Sequence, residues 1–172
     1  MAYIPNISNY KPFYIQTASD NSAIDTLTWG MVAKSNPYLA LPKPKTPYKN
    51  EWKDENGDDE YTTQMFYEAD EFTVSFYMKA FDTVSSGVVT KPAVAALREQ
   101  LDTFFNKVKN GSFKVYDSYT GLGRKDVRYA GFKEDSFKAR GNWARIIFSV
   151  TFKMNDPITR VIYSSGVLTE VS

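Results

Sequence analysis

The second half of the sequence holds an amphipathic helix followed by three strand-like runs, and this order limits the fold more than any other feature. The helix is predicted over 92–109, with Pro92 in its first turn and Gly111 suited to the left-handed conformation that often follows a helix. Strands are predicted after it at 113–117, 125–134 and 146–154, the last being the clearest because large apolar residues occupy every second position. The apolar stripe of the helix is predicted to contain Val94, Leu97, Leu101, Phe104, Phe105 and Val108.

The remaining strand-like runs are shorter and lie on both sides of this series. Runs at 13–16 and 27–32 predict an early hairpin, and a strand at 71–79 shows the same alternation as 146–154. Further strands are predicted at 61–67, 158–163 and 167–171, with a flexible turn at 85–87.

The composition fits this arrangement. With 172 residues, 42% hydrophobic and 16% aromatic, the chain is long enough for a sizeable core and rich in side chains that suit strands. We therefore expect one domain, residues 1–172, that is mainly β with one flanking α-helix (α+β). The strands would form an antiparallel β-sandwich or a partly open barrel.

Charge and missing residue types exclude several functions. The net charge of +1 gives no field strong enough to hold nucleic acid tightly or to bind an anionic membrane surface. With no cysteine and no histidine, thiolate chemistry, Ser-His-Asp catalysis and the usual zinc sites are excluded. The first ten residues lack a signal-peptide pattern and no stretch is apolar enough to span a bilayer. We expect a soluble protein with no catalytic residues, no metal and no cofactor.

Residues 35–60, which we call the arm, differ in character from the rest of the chain. Prolines at 37, 42, 44 and 47 cannot donate to a strand ladder and favour extended backbone before them. Long segments without regular structure are uncommon in compact domains unless they are disordered or functional. Because its apolar residues are too many for a solvated linker, they are candidates for a subunit interface, or else they cover their own core. These residues are Tyr38, Leu39, Leu41, Tyr48 and Trp52.

The end of the arm is strongly acidic. Residues 51–60 contain six carboxylates around Asn56-Gly57, a pair suited to a tight turn, and this predicts a hairpin tip. A calcium loop is the alternative, but its sixth position would be Asp59 and its twelfth Met65, where an EF-hand has Gly and Glu. A solvated acidic turn is the favoured interpretation.

Other motifs have ordinary explanations. The segment 120–125 is rich in Gly and basic residues but is followed by no helix that could bind phosphate. Asp58 and Asp59 are neighbours on a turn and do not form the opposed pair that glycoside hydrolysis needs. A single-strand nucleic-acid surface is conceivable where basic and aromatic residues interleave, although simple strand decoration is preferred; this set is Lys133, Lys138, Arg140 and Arg145 with Phe132, Phe137 and Trp143.

The order of elements resembles a known superfamily. A helix that begins at Pro92-Ala93-Val94 precedes a strand, then a strand containing Tyr129-Ala130-Gly131, then a long strand that ends at Asn155-Asp156-Pro157. This order is similar to that of the phage distal-tail and tail-tube superfamily. The segment Trp52-Lys53-Asp54-Glu55-Asn56-Gly57 is also similar to one in tail proteins encoded by prophages of gut Bacteroidetes.

The resemblance implies a tail-tube-like domain whose copies form a ring, hexameric in this superfamily, that conducts DNA without gripping it. It implies that the arm reaches a neighbouring subunit, that the partners are copies of the chain and other tail proteins, and that the protein resides in the virion tail after assembly in the host cytoplasm. A distal tail protein, a tube protein and a minor tail component all remain open. The alternative function is a carbohydrate-binding β-sandwich with exposed aromatic platforms.

Overall fold

The fold is described from a computed structural model, which covers residues 10–34, 41–46, 49–50, 59–60 and 66–171. Within them lie one α-helix, α1 (Ala93–Val108), and a short 3₁₀ helix, Thr26–Trp29. The strands are β1 (Phe13–Thr17), β2 (Ile24–Asp25), β3 (Val32–Ala33), β4 (Lys49–Asn50), β5 (Asp59–Glu60), β6 (Asp70–Phe81), β7 (Thr83–Ser85), β8 (Val88–Lys91), β9 (Phe113–Asp117), β10 (Leu122–Arg140), β11 (Trp143–Met154), β12 (Arg160–Ser164) and β13 (Val167–Val171).

One antiparallel sheet contains most of the strands. Its order is β2-β1-β9-β10-β11-β6-β3, and β12 pairs with the beginning of β10 and with β13. The strands β6 and β11 pair over their whole lengths, from Asp70 opposite Met154 to Phe81 opposite Trp143. Two further hairpins, β4–β5 and β7–β8, stand outside this sheet.

The sheet folds over so that its two ends face each other across one core. Four strand spacings separate β1 from β6, which in a flat sheet would be about 19 Å. Instead, the rings of Phe13 in β1 and Phe76 in β6 meet edge to face with centroids 5.9 Å apart. Phe152 of β11 lies between the two halves, 6.1 Å from Phe13 and 5.9 Å from Phe113. The expected mainly antiparallel β fold with one helix is confirmed, and the facing halves are consistent with a β-sandwich.

Helix α1 covers the inner face of β6, β10 and β11. Its first backbone amide, at Ala93, donates to Asp82 Oδ1 at 2.7 Å, which caps the N-terminus. At the other end Gly111 has φ of +75°, the predicted left-handed conformation. The predicted stripe is partly wrong, because Val94 and Phe105 are about half exposed, whereas Ala93, Leu97, Phe104 and Val108 are buried.

The predicted strand at 27–32 is wrong. The carboxylate of Asp25 accepts the amide of Leu27 at 3.0 Å and starts a 3₁₀ helix that ends at Gly30, whose φ is +73°. This local capping overrides the β propensity of the apolar side chains, so the partner of β1 in the early hairpin is β2.

The other predicted strands fare better. The strand predicted at 113–117 matches β9, the 146–154 alternation lies within β11, and the tail hairpin is β12–β13. The prediction for β10 was too short at both ends, and the turn at 85–87 joins two short strands that were not predicted. Residues 61–65 of the strand predicted at 61–67 lie outside the described residues. In the described part of the chain, no helix combines the length and the apolar character needed to cross a membrane.

Candidate assembly interface

The outer edge of β10 from Arg128 to Arg140, which we call the open edge, has no strand partner among the described residues. Strand β9 pairs with β10 only as far as Val127, and β12 pairs only with Gly123 and Arg124. Beyond Val127 the sole partner is β11, on the opposite side. Thirteen residues of strand span roughly 40 Å, so a long row of backbone N–H and C=O groups is available to another strand.

The burial pattern shows why β10 extends beyond the body of the domain. In β11 every second residue is buried, from Ala144 to Met154, because α1 and the facing half of the sheet cover that side of the strand. In β10 every residue from Phe132 to Arg140 is exposed except Ser136, which is half-buried. Beyond Val127, β10 is therefore the edge strand of the sheet, and the helix covers its inner face only in part.

A shallow groove of about 230 Å³ runs between α1 and β10, beside the open edge. We call it the aromatic groove. Phe105 of the helix meets Tyr129 of β10 edge to face, with ring centroids 5.5 Å apart. Phe132 stacks on Phe148 of the core at 5.1 Å, and Leu101 completes the wall. Phe105 and Phe132 keep 45% and 46% of their surface exposed, so two large apolar rings face solvent together.

The two charged side chains of the groove pair with each other. Arg98 and Asp102 lie one helical turn apart and form a bidentate pair, with N–O distances of 3.0 and 3.1 Å. Partial burial raises the pKa of Tyr129, which makes its hydroxyl harder to ionise. The groove therefore offers an incoming molecule apolar contact rather than free charge.

A second exposed apolar surface lies where the arm meets the chain before β6. We call this region the base of the arm; it consists of residues 41–46 and residues 66–68. The amide of Lys45 donates to the Phe66 carbonyl and that of Glu68 to the Lys43 carbonyl, each at 2.8 Å, so the two segments run antiparallel. Leu41 is 86% exposed and Phe66 61% exposed on this ribbon. The two apolar surfaces belong to different elements of the chain.

Of the five residues predicted to form a subunit interface, Leu41 lies within the described residues, and it is nearly fully exposed. Tyr38, Leu39, Tyr48 and Trp52 lie outside them. So do residues 51–58 of the acidic segment. The backbone pairs Lys49 with Glu60 and Asn50 with Asp59, so the described residues on either side of 51–58 run antiparallel.

Sequence reasoning did not identify the aromatic groove. It placed Phe104 and Phe105 on the same buried stripe, although successive helical residues point about 100° apart and the two cannot both face one core. It also grouped Phe132 and Phe137 with the basic residues of β10 and β11. The register separates them, because Phe132 lies opposite buried Val150 and Phe137 opposite buried Ile146, on the face that carries α1.

A second cavity, of about 430 Å³, is more polar and is lined by residues of β1, β9 and β10 together with Glu170 of β13. Glu170 of β13 pairs with Lys114 at 3.2 Å and with Lys125 at 3.0 Å. These ion pairs lower the pKa of Glu170 and raise that of Lys125. Since these charges pair with one another, we assign them to holding the hairpin against β9 and β10.

The Asn155-Asp156-Pro157 motif also has a structural role. The Asp156 carboxylate accepts the amides of Ile158 and Thr159 and the Thr159 hydroxyl, at 2.7 to 3.0 Å. Partial burial acts to raise the pKa of Asp156, but these hydrogen bonds and the charge of Lys125 outweigh it, so the pKa is lowered. The motif turns the chain from β11 into β12.

Comparison with known proteins adds no family assignment. No protein-family model matches the chain, and no curated protein matches it. Among the described residues, no group of three or more acidic, His or Cys side chains could hold a metal ion.

Proposed function

We propose that this chain is a structural subunit of a phage or prophage tail, a distal tail or tube component whose copies assemble into a ring. The ring, hexameric by analogy with the superfamily that the sequence resembles, would form a DNA conduit or a platform for tail-tip proteins. The observation that carries the proposal is the open edge of β10 beside the aromatic groove. No catalytic step is part of this function.

The open edge and the aromatic groove together favour the addition of a strand from another molecule to β10. A strand that pairs with β10 would extend the sheet, and its alternate side chains would fall on the inner face, next to Phe132 and Phe105. Backbone hydrogen bonds would supply general affinity, and the groove would select a strand with apolar residues on that side. Both the polar backbone groups and the exposed rings would then be covered.

The location of the second apolar surface favours a ring over a two-fold dimer. The base of the arm, with Leu41 and Phe66, precedes β6, whereas the open edge lies on β10, two strands away in the sheet. Contact between two different surfaces of identical chains is heterologous and closes into a ring when the rotation permits. Pairing of β10 with a second β10 would instead give an isologous dimer, which electron microscopy would distinguish.

The test is assembly of the purified chain over a range of concentrations, followed by light scattering and negative-stain electron microscopy. We expect rings or short tubes at high concentration. Phe132→Asp places a charge in the aromatic groove and should abolish assembly, while the monomer remains folded because Phe132 is half exposed. Tyr119→Asp, on the exposed turn before β10, is the matched control and should assemble normally.

Replacing Trp52 by Ala tests the predicted role of the arm. We expect weaker assembly with unchanged monomer stability, and rings formed as readily as by the unaltered chain would contradict the assignment of Trp52. A chain that stays monomeric at all concentrations and binds oligosaccharide would instead support the carbohydrate-binding alternative. That alternative gains no support from the charged side chains of the aromatic groove, because Arg98 and Asp102 pair with each other.

A further inference from the structure

A row of cations crosses the outer face of the sheet, the face opposite α1, near the tip of the β10–β11 hairpin. Lys138 of β10 lies directly opposite Arg145 of β11, and Arg145 lies directly opposite Lys79 of β6. Arg140 follows two residues later on the same face, opposite Trp143. We call Lys138, Arg140 and Arg145 the basic patch.

Like charges directly opposite each other in a sheet destabilise it. Trp143 offsets part of this repulsion, because the Arg145 guanidinium lies 6.0 Å and the Lys79 ammonium 5.3 Å from the centre of its ring. Within the described part of the chain, none of the three residues of the basic patch forms an ion pair with a carboxylate. An anionic surface placed over the patch would therefore relieve the repulsion between Lys138 and Arg145.

The chain itself carries a complementary segment. Residues 128–153 contain six basic and two acidic residues, a net charge of +4, although the whole chain has a net charge of only +1. Residues 51–60 contain six carboxylates and one lysine, a net charge of −5. The β4–β5 pairing places Asn50 opposite Asp59, so the chain before and after residues 51–58 meets at one place.

We infer that the basic patch binds the carboxylates of residues 51–60 of a second copy of the chain. This contact rests on the proposed self-assembly and deepens it, because it names the surface that receives the arm. Nucleic acid is the less favoured occupant, since the sheet turns Phe132 and Phe137 to the opposite face, away from the basic patch. A patch of three or four cations also supports only weak phosphate binding at physiological salt.

The first test is zero-length cross-linking with a carbodiimide, which joins a lysine amine to a carboxylate in direct contact. Equal amounts of ¹⁴N- and ¹⁵N-labelled chain are mixed under assembly conditions, cross-linked and digested. We expect peptides that join Lys138 to residues 51–60 and that carry both isotopes. A contact between chains makes about half of these peptides mixed. If cross-linked peptides formed but none carried both isotopes, the acidic segment would cover the patch of its own chain, and a complete absence of such peptides from assembled material would also overturn the inference.

The second test is charge reversal with a swap. Lys138→Glu with Arg140→Glu, or Asp54→Lys with Asp58→Lys, should each raise the concentration needed for half-assembly about tenfold, and all four together should bring it back to within about threefold. The control pair, Lys11→Glu with Lys109→Glu, changes the net charge equally at exposed sites elsewhere and should have little effect.

The outcomes separate this inference from the proposed function. Rings that form equally well in every variant would overturn the docking contact and leave ring assembly intact, whereas failure of the unaltered chain to assemble at all would overturn the proposed function itself. Binding of a single-stranded oligonucleotide that is lost in the Lys138→Glu, Arg140→Glu variant while assembly is unchanged would assign the patch to nucleic acid instead.

Discussion

Gly123 is the position where the fold tolerates no side chain, and its replacement by Ala gives the sharpest test of the sheet arrangement. Here β10 lies between β9 and β12, with Gly123 opposite Tyr116 on one side and Val161 on the other. A Cβ atom at this position would lie 2.6 Å from the carbonyl oxygens of both Val115 and Val161. Both contacts are about 0.8 Å short of the 3.4 Å at which ordinary contact begins.

The loss of stability expected for Gly123→Ala depends on which atoms must move to make room for the new Cβ. Both oxygens belong to the backbone of paired strands, so neither can rotate away as the end of a side chain could, and relieving one contact tightens the other. Overpacking usually costs about 1–3 kcal/mol, and backbone obstruction on two sides places Gly123→Ala at about 3 kcal/mol or more. For a chain of this size that loss lowers the melting temperature by roughly 6–12 °C.

The same strand provides the control. A Cβ atom at Gly131 would meet only the Cβ of Thr151, at 3.9 Å, which is ordinary contact. Gly131→Ala should therefore be neutral or should stabilise the fold by up to about 1 kcal/mol, because the unfolded chain loses conformational freedom.

Urea unfolding of both variants, followed by far-ultraviolet circular dichroism at a concentration where the chain is monomeric, measures the difference directly. An unchanged slope with a lower midpoint is expected for Gly123→Ala. A Gly123→Ala protein within 1 kcal/mol of the unaltered chain would refute the placement of β12 against β10.

Two further predictions concern the core and the turn after β11. Phe152→Ala should lower the free energy of unfolding in urea by about 3–5 kcal/mol, since the ring is fully buried among other aromatic rings. Phe137→Ala should lower it by less than about 1 kcal/mol, because Phe137 is 43% exposed. Similar losses for the two variants would contradict the assignment of Phe137 to the surface. Asp156→Asn should lower stability at pH 7, and because the folded-state pKa of Asp156 is lowered, its contribution is present above the ordinary carboxyl pKa and is lost as the pH falls through the folded value. The unfolding free energies of the two proteins should therefore converge toward pH 2, and a gap that is constant with pH would show that the carboxylate charge plays no part.

How far the sequence predicts this fold depends on whether one face of an element is buried. Strand β11 was predicted because α1 and the core cover every second residue, so apolar side chains occupy alternate positions of the sequence. The end of β10 carries no such period, since both of its faces are exposed beyond Phe132, and its prediction stopped six residues early. The 3₁₀ helix was missed because one carboxylate, that of Asp25, decides the local backbone.

The candidate interface was predictable only on one side. The arm stands out in the sequence because its prolines and aromatic residues are unusual together, and Leu41 was selected for that reason. The aromatic groove has no local signal, since Leu101 and Phe105 are separated from Tyr129 and Phe132 by more than twenty residues and meet only when α1 packs on the sheet. Such a surface becomes visible only once the tertiary contacts are known.

An open edge of this length would promote indiscriminate aggregation if it were flat. The register shifts of β10 make the edge irregular, and this favours pairing with one specific partner. Its ladder with β11 shifts register between Tyr129 and Gly131 and again between Glu134 and Ser136. These bulges divide the edge into short straight stretches, and Lys133 and Lys138 add charge to it. A flat strand from an unrelated chain can pair with only a few residues before the register fails. A strand shaped to the same irregularity, with apolar residues toward the aromatic groove, can pair along the whole edge. The bulges therefore argue for one specific partner, and a copy of the same chain is the partner that the proposed ring requires.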